Sequence, residues 1–366
     1  VPGAYQGRGH GNAFLNDLCG ADVLIHVVDA SGGTDKGGNP TEASFSGLGR
    51  REEKAKEEQD VYRPSDDVAW VRNEIHRWIY NNIQAKWASV VRLGVDRLVE
   101  LLSGYHASRA VAAAALKRMG VDLKTISSEE LRLWMPIDLH RLVAHFLRVR
   151  FPILLALNKC DHPDSEGHVQ ELLRRYDKEP HARVSALAEL RLSRWRREGR
   201  VDYSPGSRHV HVISPLSTFG EELRWVQDVM ANLGGSTGVL ELVNAAVHLR
   251  PPLLVFPVAD LETCRCEGPV QRQESLGVAG SWFSTCAAGS DHILRDVIVM
   301  KPGSSVQDVY ETMKRPPWQM ISGDFIRAEC RIDQEQRKLM KKTDVVNEGT
   351  CVLKIMTNKR SCWQRK

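Results

Sequence analysis

Apolar residues change their spacing several times along this chain, and each change predicts an element. From Ala21 to Asp29 they run almost unbroken (Val23, Leu24, Ile25, Val27, Val28), as in a central parallel strand with helices on both faces. A short helix over Ala13–Cys19 is expected before it. From residue 68 the spacing becomes three-four: Val68, Val71, Ile75, Trp78 and Asn82, then Val91, Val95, Leu98, Leu102 and Tyr105. Two amphipathic helices with such seams predict a coiled-coil-like helical hairpin, with Trp70, Trp78 and Trp87 as packing residues. Further helices are expected over Ala110–Met119, stopped at Gly120, and over roughly 128–148. Phe151 to Leu157 is then a second continuous apolar run of strand length.

Beyond it the pattern predicts a helix over Val169–Tyr176, a short strand over Arg183–Ala188, a turn at Tyr203–Ser207 and an irregular strand over His209–Ile213. Ser236 or Thr237 should cap a helix with Val239, Leu240, Leu242, Val243, Ala246 and Val247 on its apolar face, and Arg250-Pro251-Pro252 should stop it. Leu253–Val258 reads as another strand. Val297–Met356 reads as a compact unit of strand, turn, helix and short strands. Buried strands alternating with amphipathic helices predict an α/β class. The stretches 31–65 and 260–291, rich in Gly, Ser and charge or Cys, read as loops.

The 366 residues are enough for two or three cores, and 42% hydrophobic with 26% charged content suits globular protein rather than a disordered chain. A net charge of +4 does not by itself point to nucleic acid. The eight cysteines lack paired spacings, so free thiols are expected; Cys264 and Cys266 with Cys286 and His292 do not have zinc-finger spacing. No apolar run reaches the roughly 18–20 residues of a membrane helix.

The candidate chemistry sits where the second apolar run ends, at Asn158-Lys159-Cys160-Asp161. Guanine presents N1–H and N2–H2 side by side, and a carboxylate such as Asp161 accepts both in a bidentate, charge-assisted pair. Asn158 would tie the loop together, and the aliphatic stem of Lys159 would cover one face of the base.

In their order along the chain, these landmarks resemble the YchF-type branch of the Obg family of translation-factor-class P-loop GTPases. Val1-Pro2-Gly3-Ala4, with the glycines Gly3, Gly7, Gly9 and Gly11 through to Leu18, is similar to the family's segment after DxxG, the switch II loop. Ala21–Ser31 resembles the next core strand, and Glu74-Ile75 to Tyr80 the start of an inserted helical domain. Asn158-Lys159-x-Asp161 resembles the base-specificity motif. Ser185-Ala186, with Leu187 after it, resembles the small-residue loop whose backbone N–H meets guanine O6. Gly235 to Val239 is another family-like segment, and Val297–Met356 looks like a C-terminal TGS domain of β-grasp fold.

The resemblance implies a P-loop GTPase-type parallel sheet, incomplete because its first strands are absent, an inserted α-helical hairpin domain and the TGS domain. It divides the chain into G-domain residues 1–43, an insertion at 44–65, the helical domain at 66–127, more G domain at 128–258, an insertion at 259–291, the TGS domain at 292–358 and a basic tail at 359–366. No G-x-x-x-x-G-K-[ST] occurs in the 366 residues. The chain therefore reads as N-terminally truncated, beginning inside switch II, with Mg²⁺ and phosphate ligands expected upstream of Val1 and no catalytic or metal residue of its own. His10 reads as a tolerated loop substitution.

The resemblance implies GTP or GDP as ligand, Asp161 favouring guanine, and a cytoplasmic, monomeric protein working at the ribosome or on RNA, with no membrane partner. Lys86, Arg92, Arg97, Arg109, Lys117, Arg118 and the tail are its candidate phosphate contacts. The rival expectation is a non-enzymatic remnant that binds RNA or protein through its helical and TGS domains.

Overall fold

The computed structural model describes residues 16–34, 63–214, 219–265, 293–294, 296–316, 318–332 and 336–359. The glycines at 3, 7, 9 and 11, His10, the first three residues of the expected Ala13–Cys19 helix, Cys266, Cys286, His292 and all of the tail but Lys359 lie outside them. The chain divides into two compact units, Val1–Arg250 and Pro251–Lys366.

The first unit runs β1 (Leu24–Asp29), α1 (Pro64–Ala85), α2 (Trp87–Leu93), α3 (Val95–Ser103), α4 (Arg109–Arg118), α5 (Ser128–Arg132), α6 (Pro136–Arg150), β2 (Ile153–Asn158), α7 (Ser165–Arg175), β3 (His181–Arg183), α8 (Ala186–Arg197), β4 (Val201–Asp202), β5 (His211–Val212), α9 (Gly220–Asn232) and α10 (Val239–Leu249). Strands β1, β2 and β3 form a parallel sheet in that order, with β2 central. Leu154 to Leu157 of β2 are all buried, as a continuous apolar run requires. β1 departs from the expected pattern: Ile25 and Val27 are 43% and 60% exposed, so among the described residues only one of its faces is covered.

The helical seams are present, but the long second helix is broken. Gly94, at φ 82°, separates α2 from α3, and the expected 128–148 helix is split because Pro136 starts α6 as its first helical residue. Ile75, Ile79, Ile83, Leu98, Leu102, Leu116, Leu142 and Phe146 share one core, to which α6 also contributes Leu139 and Val143. Trp78 packs edge-on against Tyr105, and Trp87 stacks on Trp134. Arg150 ends α6 buried, its guanidinium donating to the carbonyls of Tyr105, Ala21 and Cys19.

His26 of β1 gives this unit an acid sensitivity. Burial, reinforced by Arg72 of α1, lowers its pKa from 6.5 to about 4. The unfolded chain therefore takes up this proton first as pH falls. The stability from the neutral imidazole is complete above pH 6.5, declines toward pH 4 and levels off below. Its size is about 1–3 kcal/mol. His26→Gln should flatten the melting temperature over that interval, and an unchanged pH profile would exclude His26 as the cause.

The second unit is a mixed five-stranded sheet in the order β7 (Ile298–Met300), β6 (Leu253–Pro257), β10 (Val352–Thr357), β8 (Phe325–Arg331), β9 (Arg337–Met340). β6 and β10 are parallel and the other pairs antiparallel. One helix, α11 (Val306–Lys314), lays Val306, Val309, Tyr310 and Met313 on the face made by Val255, Ile298, Ala328, Cys330, Leu353 and Ile355. The strand at 253–257, placed above in the segment 128–258, lies second in this sheet. A lone apolar strand looks the same in either sheet; the Phe256 and Val258 N–H bonds to the carbonyls of Cys351 and Leu353 decide its membership.

Candidate functional site

The parallel register puts Asp29 opposite Asn158 and Leu157 opposite Arg183, so three chain segments reach one edge of the sheet together. Past Asn158 the chain turns sharply. Lys159 takes the left-handed conformation at φ 62°, which costs a non-glycine residue about 1–2 kcal/mol. The turn is held by the Cys160 N–H on Val184 O at 3.2 Å and the Cys160 thiol on Leu157 O at 3.0 Å.

The turn brings Asn158 and Asp161 to the start of α8. Ser185, fully buried, caps that helix: its Oγ accepts the Ala188 N–H at 3.1 Å and donates to Asp161 Oδ1 at 2.6 Å. The Ala186 N–H donates to Asn158 Oδ1 at 3.1 Å. The expected strand over Arg183–Ala188 is thus β3 ending at Arg183 and a helix beginning at Ala186. Leu187, 44% exposed, belongs to the first helical turn. Ser185 and Ala186 have their N–H groups engaged internally, with Thr237 O and Asn158, so the Leu187 N–H is the one left without a partner among the described residues.

Two features had no signal in the motif. The first is Asp29, which ends β1 as Asn158 ends β2. Its Oδ2 accepts from Lys159 Nζ at 2.7 Å and Thr34 Oγ1 at 2.9 Å, and its Oδ1 from the Ser31 N–H and hydroxyl at 2.9 and 2.6 Å. Burial alone would raise its pKa, but these bonds outweigh burial and hold the carboxyl below its ordinary value. Lys159 is therefore tied to β1, its stem lying across the edge of the sheet. Asp29→Asn should cost about 1 kcal/mol of stability at neutral pH. Because the folded pKa is depressed, that difference should be complete above the unfolded value of 3.8 and vanish as pH falls through the folded one. Melting curves of both proteins across that range measure it.

The second is a buttress behind Ser185. Thr237, fully buried, accepts the Ser185 N–H on its carbonyl at 3.0 Å and donates its hydroxyl to Glu189 Oε2 at 2.6 Å. Tyr203 donates to the same oxygen at 2.7 Å and accepts the Gly206 N–H at 2.9 Å; burial and Glu189 push its phenol above the ordinary range. Ser236 and Thr237 do not cap α10 as expected. Its N-cap is Gly238 at φ 78°, and Ser236 Oγ instead accepts the Gly238 N–H at 3.0 Å.

Among the described residues, Asp161 Oδ2, Asn158 Nδ2 and the Leu187 N–H have no partner. One charged acceptor and two donors therefore meet beside the Lys159 stem. This set can bind the edge of a planar heterocycle that carries donors next to an acceptor. No three His, Cys, Asp or Glu among the described residues are grouped to hold a metal. Cys264 is buried, with its sulfur beside Arg331 Nη1 at 3.1 Å.

Residues 156–260 match the family model described as the Obg-like GTPase YGR210-like, G4 motif-containing domain. The chain is 34% identical over 277 residues to a protein of Schizosaccharomyces pombe described as an uncharacterized GTP-binding protein. It is 33% identical over 271 residues to one of the same description from Methanocaldococcus jannaschii. Each match covers 71% of this chain but 62% and 61% of the relative, so the chain spans about three-fifths of the relatives' length. A crystal structure of a GTP binding protein from Pyrococcus horikoshii aligns with 94% of this chain and 81% of its own, at a TM-score of 0.56 and 23% identity, a likeness of fold alone. Residues 156–260 are thus similar to an Obg-like GTPase domain, and the chain is similar to proteins described as GTP-binding.

Proposed function

We propose that the edge formed by Asn158, Lys159, Asp161 and the start of α8 binds the base of GTP or GDP. The observation that carries this is the paired anchoring of the loop: Ser185 holds Asp161 by one oxygen while Asn158 holds Ala186, leaving the second carboxylate oxygen and the Leu187 N–H at the same edge. Asp161 accepts guanine N1–H and N2–H2, the Leu187 N–H serves O6, and the Lys159 stem covers the ring. Adenine, with an acceptor at N1 and an amino group at C6, finds both positions reversed. The relatives' description as GTP-binding proteins supports the same reading.

The finer assignment is the YchF-type branch, with 66–127 as the inserted helical domain, 292–358 as the TGS domain, and a cytoplasmic, monomeric guanine-nucleotide switch working at the ribosome or on RNA. Among the described residues no helix is long and apolar enough to cross a membrane. Isothermal titration of the 366-residue chain with GDP, GTP and ADP tests the proposal. Guanine nucleotides should bind at least about tenfold more tightly than ADP, the worth of one charge-assisted pair. Equal affinities would sink the base-site assignment.

A further inference from the structure

The first unit contains a second polar concavity, formed by α4, α6 and the chain just before α6. It is a cavity of about 220 Å³ whose walls include Arg118, Trp134, Asp138, Arg141 and His145. Arg141, His145 and Arg148 follow one another at i, i+4 and i+7, on one side of α6. Arg118 reaches the cavity from the last turn of α4. Basic residues at the ends of α4 and α6 suit the helix dipoles, but that does not account for Arg141 and His145 in the interior of α6.

The positive charge there is poorly compensated. Asp138 is the acidic wall residue, and its Oδ2 is occupied by the Met135 N–H at 2.9 Å, while its Oδ1 stands 3.9 Å from Arg141 Nη1. Arg118, His145 and Arg148 have no ion pair or side-chain hydrogen bond among the described residues. Desolvation, with Arg148, Arg118 and Arg141 nearby, keeps the His145 imidazole below its usual range. Trp134 is fixed from behind by its stack on Trp87, with ring centres 5.6 Å apart. Leu133, Met135 and Ile137, on either side of Trp134, are 77%, 62% and 61% exposed. Two guanidinium groups and an imidazole facing a single carboxylate, already engaged by the Met135 N–H, suit a phosphate, and an aromatic wall flanked by exposed apolar side chains suits unstacked bases.

We propose that this cavity binds a backbone phosphate of single-stranded RNA, with Arg118 and Arg141 on the phosphate oxygens, His145 as a further donor, and Trp134 as the wall for the neighbouring nucleotide. This rests on the reading of RNA as the chain's partner and names the place of contact. It also separates the basic residues of the helical region: Arg97 and Arg109 are held at 2.6 Å by Glu100 and Asp96, so they are not the contacts that matter here.

The test is fluorescence anisotropy of a labelled single-stranded RNA of about 12 nucleotides, titrated with the full chain between about 50 and 200 mM salt. The Arg118→Gln/Arg141→Gln variant should bind at least about tenfold more weakly, with a slope of log affinity against log salt smaller by about 1.4. The Arg97→Gln/Arg109→Gln variant should stay within about twofold of the parent. Both variants should keep the parent's melting temperature, since neither loses a buried contact. Equal losses in the two variants would overturn the cavity and leave the RNA reading standing. A parent chain that binds no RNA, whether or not it binds inorganic phosphate or vesicles of phosphatidylcholine with about one-fifth phosphatidylserine, would overturn both.

Discussion

Replacing Asp161 by Asn should move the chain's preference from guanine to xanthine nucleotides. Ser185 Oγ donates to Asp161 Oδ1 at 2.6 Å, and an amide at this position keeps that bond only by placing its oxygen there. Its NH2 then takes the place of Oδ2. Guanine's N2–H2 would meet a donor instead of an acceptor, whereas the C2 carbonyl of xanthine would receive a hydrogen bond. Losing a charge-assisted bond and opposing two donors costs about 2–4 kcal/mol, so GDP affinity should fall roughly 30- to 700-fold while xanthosine diphosphate gains. Competition titrations with the two diphosphates measure the exchange. The assignment of Asp161 fails if both nucleotides lose affinity equally, or if neither changes. Asp161→Ala, which removes the acceptor without adding a donor, should weaken both.

Gly238→Ala carries the largest expected effect on folding. Gly238 is at φ 78°, and a Cβ on it would lie 1.9 Å from the carbonyl oxygen of Arg183 and 3.2 Å from Val184 Cα. Both neighbours are backbone, held by the sheet pairing of β3 and by the Ser185 N–H on Thr237 O, so nothing flexible can yield. The left-handed conformation adds about 1–2 kcal/mol and the overlap about 1–3 kcal/mol, giving a destabilisation of roughly 2–5 kcal/mol. Gly120→Ala is the matched control, because it has φ 79° and no atom within 4 Å of the added Cβ. It should cost only the conformational part. Chemical denaturation of both variants separates the two contributions; equal shifts would rule out backbone approach as the reason for glycine at 238. Because Thr237 holds Ser185 and Ser185 holds Asp161, Gly238→Ala should also weaken guanine-nucleotide binding.

These two substitutions differ in how far they could be foreseen. Asp161 stands in a motif whose four residues are adjacent, ending a strand whose apolar run is itself continuous. The residues of the proposed base site that lie in this motif are therefore adjacent in the chain, and spacing alone makes them candidates. Gly238 sits 55 residues from the carbonyl that excludes a side chain there, and neither segment carries a pattern that refers to the other. Asp29 is an intermediate case: its strand was legible from Val23 to Val28, but its bond to Lys159 depends on parallel pairing between segments 130 residues apart. The start of α8 carries no helical signal, because Val184, Ser185 and Ala186 suit strand and helix alike. The cap at Ser185 settles it, since Oγ can accept the Ala188 N–H only with the chain turned into a helix.

The same division runs through the whole molecule. The sequence alone determined the central strand β2 and its polar end, the helical seams from Val68 to Tyr105, and the final strand of the second unit, because burial of a regular element imprints a period on neighbouring residues. Only the tertiary structure decided three things. β6 belongs to the sheet of the second unit, α6 belongs to the helical core, and among the described residues the Leu187 N–H has no partner while that of Ala186 does. Each depends on contacts between segments far apart in the chain, and such contacts leave no period to read.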